Sequence, residues 1–270
     1  MVVNKLMEKE KSLHKIVLIG AGNLATNLGK VLVSKGYSVV QVYSRTEESA
    51  KNLATTLSAA YTTSLDEVRK DATLYIVSLK DSALIELLPE IVADKQDSFF
   101  VHTAGSISMD IWKGYVKHYG VFYPMQTFSK GVDVSMDCVP MFVEGSNPAT
   151  EQFIRSLAES ITKNVSHADS ELRKRLHCAA VFACNFTNHL WSVADNILRQ
   201  QASLDITYLE PLLKETLRKA MTVAPALAQT GPARRGDTAV MERHKAMLSP
   251  EDAALYDYLS KRIMKQYELD

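Results

Sequence analysis

Lys15-Ile16-Val17-Leu18-Ile19-Gly20-Ala21-Gly22-Asn23-Leu24-Ala25 is an apolar run that breaks into two closely spaced glycines and resumes at once with helix-forming residues. Strand, tight turn, helix is the order that a nucleotide-phosphate site requires. Gly20 suits the turn, and Gly22 lets the backbone approach a pyrophosphate. Ala25 takes the third place, where only a small residue permits close packing of helix on strand. The amides that open the helix, at Gly22, Asn23 and Leu24, then face an anion with the helix dipole behind them. The helical pattern from Asn23 to Lys35 ends at Gly36, and Tyr37 to Tyr43 reads as a second strand, which completes a βαβ unit.

The end of the second strand bears on the cofactor. The chain there reads Val42-Tyr43-Ser44-Arg45-Thr46, with no carboxylate at the strand end. An Asp or Glu in that place would hold the ribose hydroxyls of NAD, whereas a hydroxyl and an Arg accommodate the 2′-phosphate of NADP. Ser44 and Arg45 fit the second pattern, because a planar guanidinium forks onto a phosphate. The plain alternative is a solvated arginine capping the strand. NADP is the expected cofactor.

Composition supports a two-part chain with a small-molecule partner. Of the eleven glycines, nine fall at or before Gly145 and none lies between Gly145 and Gly231, so most of the second half should be long helices. Lys plus Arg equals Asp plus Glu at 31 each, which leaves no electrostatic footprint for nucleic acid or an acidic membrane. Cys138, Cys178 and Cys184 are odd in number and lack CxxC spacing, which fits a reducing compartment and packing better than ligation. No HxxxH stands beside a carboxylate, so no metal is expected. Residues 1 to 13 are charged and lack a signal-peptide core, and read as a short disordered tail. No apolar run approaches the length of a membrane span. A cytoplasmic protein is expected.

Along the chain, Glu47 to Leu57 has helical periodicity and Ala59 to Tyr61 reads as a third strand. Thr73 to Ser78 is almost wholly apolar or β-branched, the pattern of a strand buried on both faces of a parallel sheet. Helix Asp81 to Ala93 and strand Ser98 to His102 repeat the alternation, which argues a doubly wound sheet. His118 to Tyr123 and Cys138 to Val143 extend it, and Asn147 to Ile161 reads as a helix with Pro148 in its first turn. From about Ser166 the period changes. Asp169 to Gln200 forms one long helical pattern and Tyr208 to Thr222 a second. A loop from Pro225 to Asp237 precedes helices Thr238 to Leu248 and Pro250 to Glu268, the last opened by the capping signal Ser249-Pro250-Glu251-Asp252. The expected division is 14–164 for the sheet domain and 165–270 for an all-α domain.

Ligands of such a sheet lie beyond the carboxyl ends of its strands. There stand Ser78, Leu79, Lys80 and Asp81; His102, Thr103, Ala104, Gly105 and Ser106; and Pro124, Met125, Gln126 and Thr127. Ser78, Lys80, Thr103 and Gly105 are candidates for the cofactor and Gln126 for the substrate. Helix caps and turns are the alternative, notably for Ser106 and Asp81.

Five motifs together make a specific resemblance: Gly20 to Ala25, Ser44-Arg45, His102-Thr-Ala-Gly-Ser106, Tyr123-Pro-Met-Gln-Thr-Phe128 and Gly231-Pro-Ala-Arg-Arg-Gly-Asp237. They resemble, over nearly the whole chain from Lys15, a bacterial Rossmann-like family with a helical C-terminal domain of unassigned function, often labelled NADP oxidoreductase of the deazaflavin-coenzyme-dependent type. More distantly the chain is similar to pyrroline-5-carboxylate reductase, ketopantoate reductase and the 3-hydroxyisobutyrate and 6-phosphogluconate dehydrogenases. The resemblance implies a Rossmann-type doubly wound sheet followed by an all-α domain, NADP in the cleft between them, and association through the helical half. A homodimer is expected.

In the dehydrogenase relatives the long helix carries a catalytic Lys with an Asn one turn on. Here His177 replaces the Lys and Val181 stands one turn on, so that pair is not reproduced. At 100° per residue, Cys184 and Asn188 lie within about 20° of His177 and Asn185 about 80° away. One face thus offers His177 and Asn185 as catalytic candidates and Asn188 for the substrate. A His can donate a proton to a developing alkoxide or amine; a His satisfied within a helix interface is the alternative. His189 and Trp191 read as packing residues. Arg235 and Asp237 match the family motif, and paired Arg234 and Arg235 beside a carboxylate suit a clamp on a substrate anion; alternatively Asp237 caps the helix that holds His244.

The expected activity is hydride transfer between NADP and a small carbonyl, imine or hydroxy-acid substrate. Hydride exchange with a deazaflavin coenzyme, or a non-catalytic NADP-binding dimeric module, are the rivals.

Overall fold

The structure is a computed structural model that describes residues 14–201 and 204–268; the N-terminal tail expected over residues 1–13 lies outside them. Eight strands form one sheet: β1 (Lys15–Ile19), β2 (Ser38–Tyr43), β3 (Ala60–Thr62), β4 (Leu74–Val77), β5 (Phe99–His102), β6 (His118–Pro124), β7 (Met141–Gly145) and β8 (Val165–His167). Their order is β3-β2-β1-β4-β5-β6-β7-β8. Every neighbouring pair is parallel except β6 and β7. The order turns back between β1 and β4, the switch point at which such sheets bind ligands.

The apolar run that opens the sheet is explained by burial on both faces. Ile16 and Leu18 join one core cluster with Leu28, Leu32, Val42 and Ile76. Val17 and Ile19, pointing the other way, join Tyr75, Val77, Phe100 and Trp112. Each such side chain contributes on the order of 1.5 to 3 kcal/mol when fully buried. Helices α1 (Asn23–Ser34), α2 (Glu47–Leu57), α3 (Asp81–Val92) and α4 (Pro148–Glu159) link the strands. α4 opens on Asn147, whose side chain accepts from the Thr150 amide, with Pro148 at its first turn.

Three differences from the sequence reading have local causes. The strand expected over Cys138 to Val143 begins at Met141, because Met136–Cys138 is a 3-10 turn and Pro140 has no N–H to give a ladder. β8 is a short polar strand, Val165-Ser166-His167, made by pairing with Met141–Val143 rather than by any pattern of its own. The helix expected over Asp169 to Gln200 has three parts. α5 (Ser170–Ala180), with Asp169 capping the Leu172 amide, is followed by a π-helical segment (Val181–Phe186) and α6 (Thr187–Gln201).

The described chain forms two compact units, divided after Phe182 within the π segment. The second unit is helical: α6, a 3-10 turn (Ile206–Leu209), α7 (Glu210–Val223), α8 (Pro225–Ala228), α9 (Pro232–Arg235), α10 (Thr238–Lys245) and α11 (Pro250–Gln266). The segment expected to be a loop thus holds two short helices, each opened by a proline at its first turn. Ser249 caps the Asp252 amide as the start signal implies. In this unit Ala233, Met241 and Ser260 are the buried residues among those described.

Candidate active site

Register places one row of residues across the carboxyl ends of the central strands. Ile19 pairs with Tyr43 and Val77, and Val77 with His102. The next residue of each strand is Gly20, Ser44, Ser78 or Thr103. Backbone bonds tie them: Gly20 N–H to Tyr43 O at 2.8 Å, Ser78 N–H to Ile19 O at 2.8 Å, and Thr103 N–H to Val77 O at 3.1 Å. Gly20 has φ of +116°, and a Cβ there would collide with the Ser78 carbonyl. Only glycine serves this turn.

The opening of α1 is shaped for an anion. Gly22 is its N-cap without a side-chain cap bond, no acidic residue stands in its first turn, and a Cβ at Gly22 would meet open space. Ala25 is fully buried, as close packing demands. Arg45 is exposed at the end of β2 and makes no ion pair among the described residues. These residues fit NADP. Gly22, Asn23 and Leu24 would hold its diphosphate, and Ser44 with Arg45 its 2′-phosphate.

Two side-chain pairs bridge the loops after β4 and β5. Thr103 Oγ1 donates to Ser78 Oγ at 3.1 Å, and Ser106 Oγ donates to the Asp81 carboxylate. Neither Ser106 nor Asp81 caps α3, whose N-cap Lys80 makes no side-chain cap bond. Lys80 is exposed, and Gln126 is exposed with its side-chain oxygen accepting from the Thr127 amide at 2.7 Å.

His177, on α5, meets the end of β6 and the loop after β5. Its Nδ1 lies 3.1 Å from the Tyr123 hydroxyl. A Cβ on Gly105 would sit 2.7 Å from His177 Cγ, so glycine there admits the ring. Burial raises the Tyr123 phenol above its ordinary value, with the Arg173 charge opposing.

One turn before His177, Arg173 is fully buried. It donates to Glu144 Oε2 at 2.6 Å, the Ile107 carbonyl at 2.6 Å and Ser170 Oγ at 3.2 Å. His102 is also fully buried. Its Nδ1 accepts from the Ala104 amide at 3.2 Å. Burial first, then the Arg173 charge, push its pKa down to about 3, against the Ser108 backbone.

Arg173 and Glu144 are not singled out by the sequence, and His102 and Tyr123 stand there within family motifs without a role of their own. Its pattern ends β6 at Tyr123, which points only to the residues beyond it as candidates. The usable signal is Arg173, one helical turn from His177 on the same face.

In the second unit, Asn185, Asn188 and Arg235 are exposed. The π segment widens the helix, so the 100° progression that puts Asn185 and Asn188 near the His177 face does not run through it. Asp237 is the N-cap of α10, accepting from the Val240 amide at 3.1 Å. Arg234 stacks its guanidinium 4.2 Å over the Tyr267 ring. The three cysteines are exposed rather than packed in a core. His189 and Trp191, expected to pack, are exposed in the single chain, Trp191 by 42%. Among the described residues, no group of three or more His, Cys, Asp or Glu is placed to hold a metal, and no helix is long and apolar enough to cross a membrane.

The sheet order, the glycine turn at the switch point and the Ser44-Arg45 strand end define a Rossmann-type dinucleotide-binding protein. Comparison with known proteins carries this further. The family model described as NADP oxidoreductase coenzyme F420-dependent matches residues 15–105, and one described as a domain of unknown function, DUF2520, matches residues 139–263. A Bacteroides fragilis protein named as a candidate NADP oxidoreductase is 52% identical, with a TM-score of 0.90 over 93% of this chain and 98% of that one. The chain belongs to this family of Rossmann-like NADP oxidoreductases. A Thermotoga maritima protein, 21% identical, has a TM-score of 0.72 over 94% of this chain and 99% of that one. An imine reductase from Myxococcus stipitatus, solved with NADP+, is 16% identical with a TM-score of 0.62 over 93% and 92%. These two share the fold. No match was found among curated proteins.

Proposed function

We propose that the protein transfers a hydride between NADP and a small carbonyl, imine or hydroxy-acid substrate, with His177 moving the accompanying proton. The observation that carries this reading is an imidazole held by Tyr123 and Gly105 just past the carboxyl ends of β5 and β6. When bound, NADPH supplies the hydride through its nicotinamide ring. The chain's own part is orientation and one proton. Ser78, Lys80, Thr103 and Gly105 line the cofactor. His177 gives a proton to the substrate oxygen or nitrogen during reduction and takes it back during oxidation. Asn185 assists it. Gln126 contacts the substrate. Asp237 retains a second carboxylate oxygen beyond the one that caps α10. The protein acts as a cytoplasmic homodimer built through its second unit.

A second reading is favoured by the description of the family that matches residues 15–105: hydride exchange with a deazaflavin coenzyme, which needs no proton-donating His. Purified protein should be offered carbonyl and imine panels with NADPH, a hydroxy-acid panel with NADP+ and, separately, a deazaflavin coenzyme with NADPH. Oxidation of NADPH by a carbonyl or imine, or reduction of NADP+ by a hydroxy acid, supports the proposal. Oxidation by the deazaflavin alone moves the assignment to the second reading, and tight NADPH binding without any oxidation makes the protein a binding module.

A further inference from the structure

Tyr123 is 7% exposed, and a phenolic proton withdrawn from water needs an acceptor, since an unmade bond costs about 1 to 3 kcal/mol. Among the described residues its one hydrogen-bond partner is His177 Nδ1, at 3.1 Å. The phenol stays protonated throughout the range in which an imidazole titrates, because burial raises its pKa above the ordinary value. A neutral imidazole carries its proton on one nitrogen and accepts on the other, and the bond made by the first decides the second.

We infer that Tyr123 is a positioning residue, which donates its hydroxyl proton to Nδ1 of neutral His177 and so keeps the imidazole proton on Nε2.

The surroundings of the ring agree. Nε2 of His177 makes no hydrogen bond among the described residues, so its N–H remains available to a bound molecule. The ring also has little freedom to exchange its nitrogens. Cγ, Cβ and Nδ1 of His177 all lie within 2.7 to 2.8 Å of where a Cβ on Gly105 would stand, so the loop backbone walls one side of it. The ring of Tyr123 meets it edge-on, with centroids 6.2 Å apart. Tyr123 is itself set by β6, opposite Phe142 of β7. The nitrogen that offers a hydrogen-bond donor to a bound molecule is therefore chosen by the sheet rather than by the helix that carries the histidine. Its meaning for catalysis rests on the proton-transfer role proposed for His177; the tautomer itself does not.

The test uses the full chain labelled with ¹⁵N-histidine. Its neutral imidazoles are read by two-bond ¹⁵N–¹H correlation, and the His177 signal is assigned by its loss in His177→Gln. Wild type should show a protonated Nε2 and a bare Nδ1. Tyr123→Phe, which keeps the ring and removes only the hydroxyl, should show a mixture of the two tautomers. A protonated Nδ1 in wild type overturns the inference, and so does an unchanged tautomer in Tyr123→Phe. The tautomer is read without any substrate, so its outcome is independent of the proton-transfer role proposed for His177.

Discussion

Arg45 is exposed, free of ion pairs among the described residues, and adjacent to the row of backbone groups at the switch point. If it holds a 2′-phosphate, Arg45→Ala should weaken NADPH far more than NADH. A charge-assisted bond of roughly 1.5 to 3 kcal/mol corresponds to about 10- to 150-fold. Calorimetric titration of both cofactors decides it, and equal losses would remove the assignment. His177→Ala should reduce turnover by about 10² to 10⁴ with NADPH affinity intact; steady-state rates within about twofold of wild type would make the histidine structural. His102 gives a prediction about stability instead. Its pKa falls from 6.5 to about 3 on folding, so it stays neutral in the native state while the unfolded chain takes up a proton. The resulting stability is fully present above pH 6.5 and is lost as pH falls toward 3, with a slope of up to about 1.4 kcal/mol per pH unit. Urea unfolding of wild type and His102→Asn at about pH 7.5, 6 and 5 should show the variant with a shallower slope; parallel slopes would mean that other groups carry the acid sensitivity.

Arg173 joins three elements: Glu144 of β7, the Ile107 carbonyl in the loop after β5, and Ser170 at the start of its own helix α5. Breaking such a pair on one side leaves a buried charge without a partner, which costs about 3 to 5 kcal/mol. Arg173→Met should therefore lower Tm by roughly 6 to 20 °C. Replacing both ends, Arg173→Met with Glu144→Leu, should recover most of the loss, because well-packed apolar substitutes for a buried pair are often neutral. A double variant as unstable as the single one would show that the arginine's other bonds, to Ile107 and Ser170, are what matter. The elements around this helix differ in how far sequence reveals them. β1, α1 and β2 are legible because an uninterrupted apolar run, two glycines and a helical period all agree. β8 is not, because Val165-Ser166-His167 is a strand only through its partner β7. The π segment from Val181 to Phe186 is not legible either, since an i→i+5 turn leaves no compositional mark. Within the candidate site, the glycine turn and the Ser44-Arg45 strand end are evident from local pattern. The contact between Tyr123 and His177 joins β6 to α5 across 54 residues, and no local pattern marks it.

The second unit is built from helices that bury almost nothing of their own. Ala233, Met241 and Ser260 are its buried residues among those described, and neither α6 nor α7 has a buried side chain among them. On α7, Leu212 is 62% exposed and Met221 is 73% exposed. Their separation of about nine residues, at 100° each, places them about 180° apart, on opposite sides of the helix. A surface helix keeps its apolar residues on one stripe, and one that is apolar on opposite sides is interior to something larger. Leu217, Leu227, Met247 and Tyr258 are exposed by more than 60% as well, more than a monomer commonly shows to water in one region. A second copy of the chain is the partner whose surface is always available and self-complementary under two-fold symmetry. The homodimer proposal therefore predicts a particle of twice the 30.0 kDa chain mass by light scattering at micromolar concentration. It also predicts that Leu217→Glu combined with Met221→Lys, which places two charges one turn apart on α7, shifts the population toward monomer. The sheet unit does not depend on α7 for its core, so far-ultraviolet dichroism should retain its strand signal and NADPH should still bind. A wild-type mass equal to one chain at that concentration would rule out the dimer and leave this apolar surface to a different protein partner.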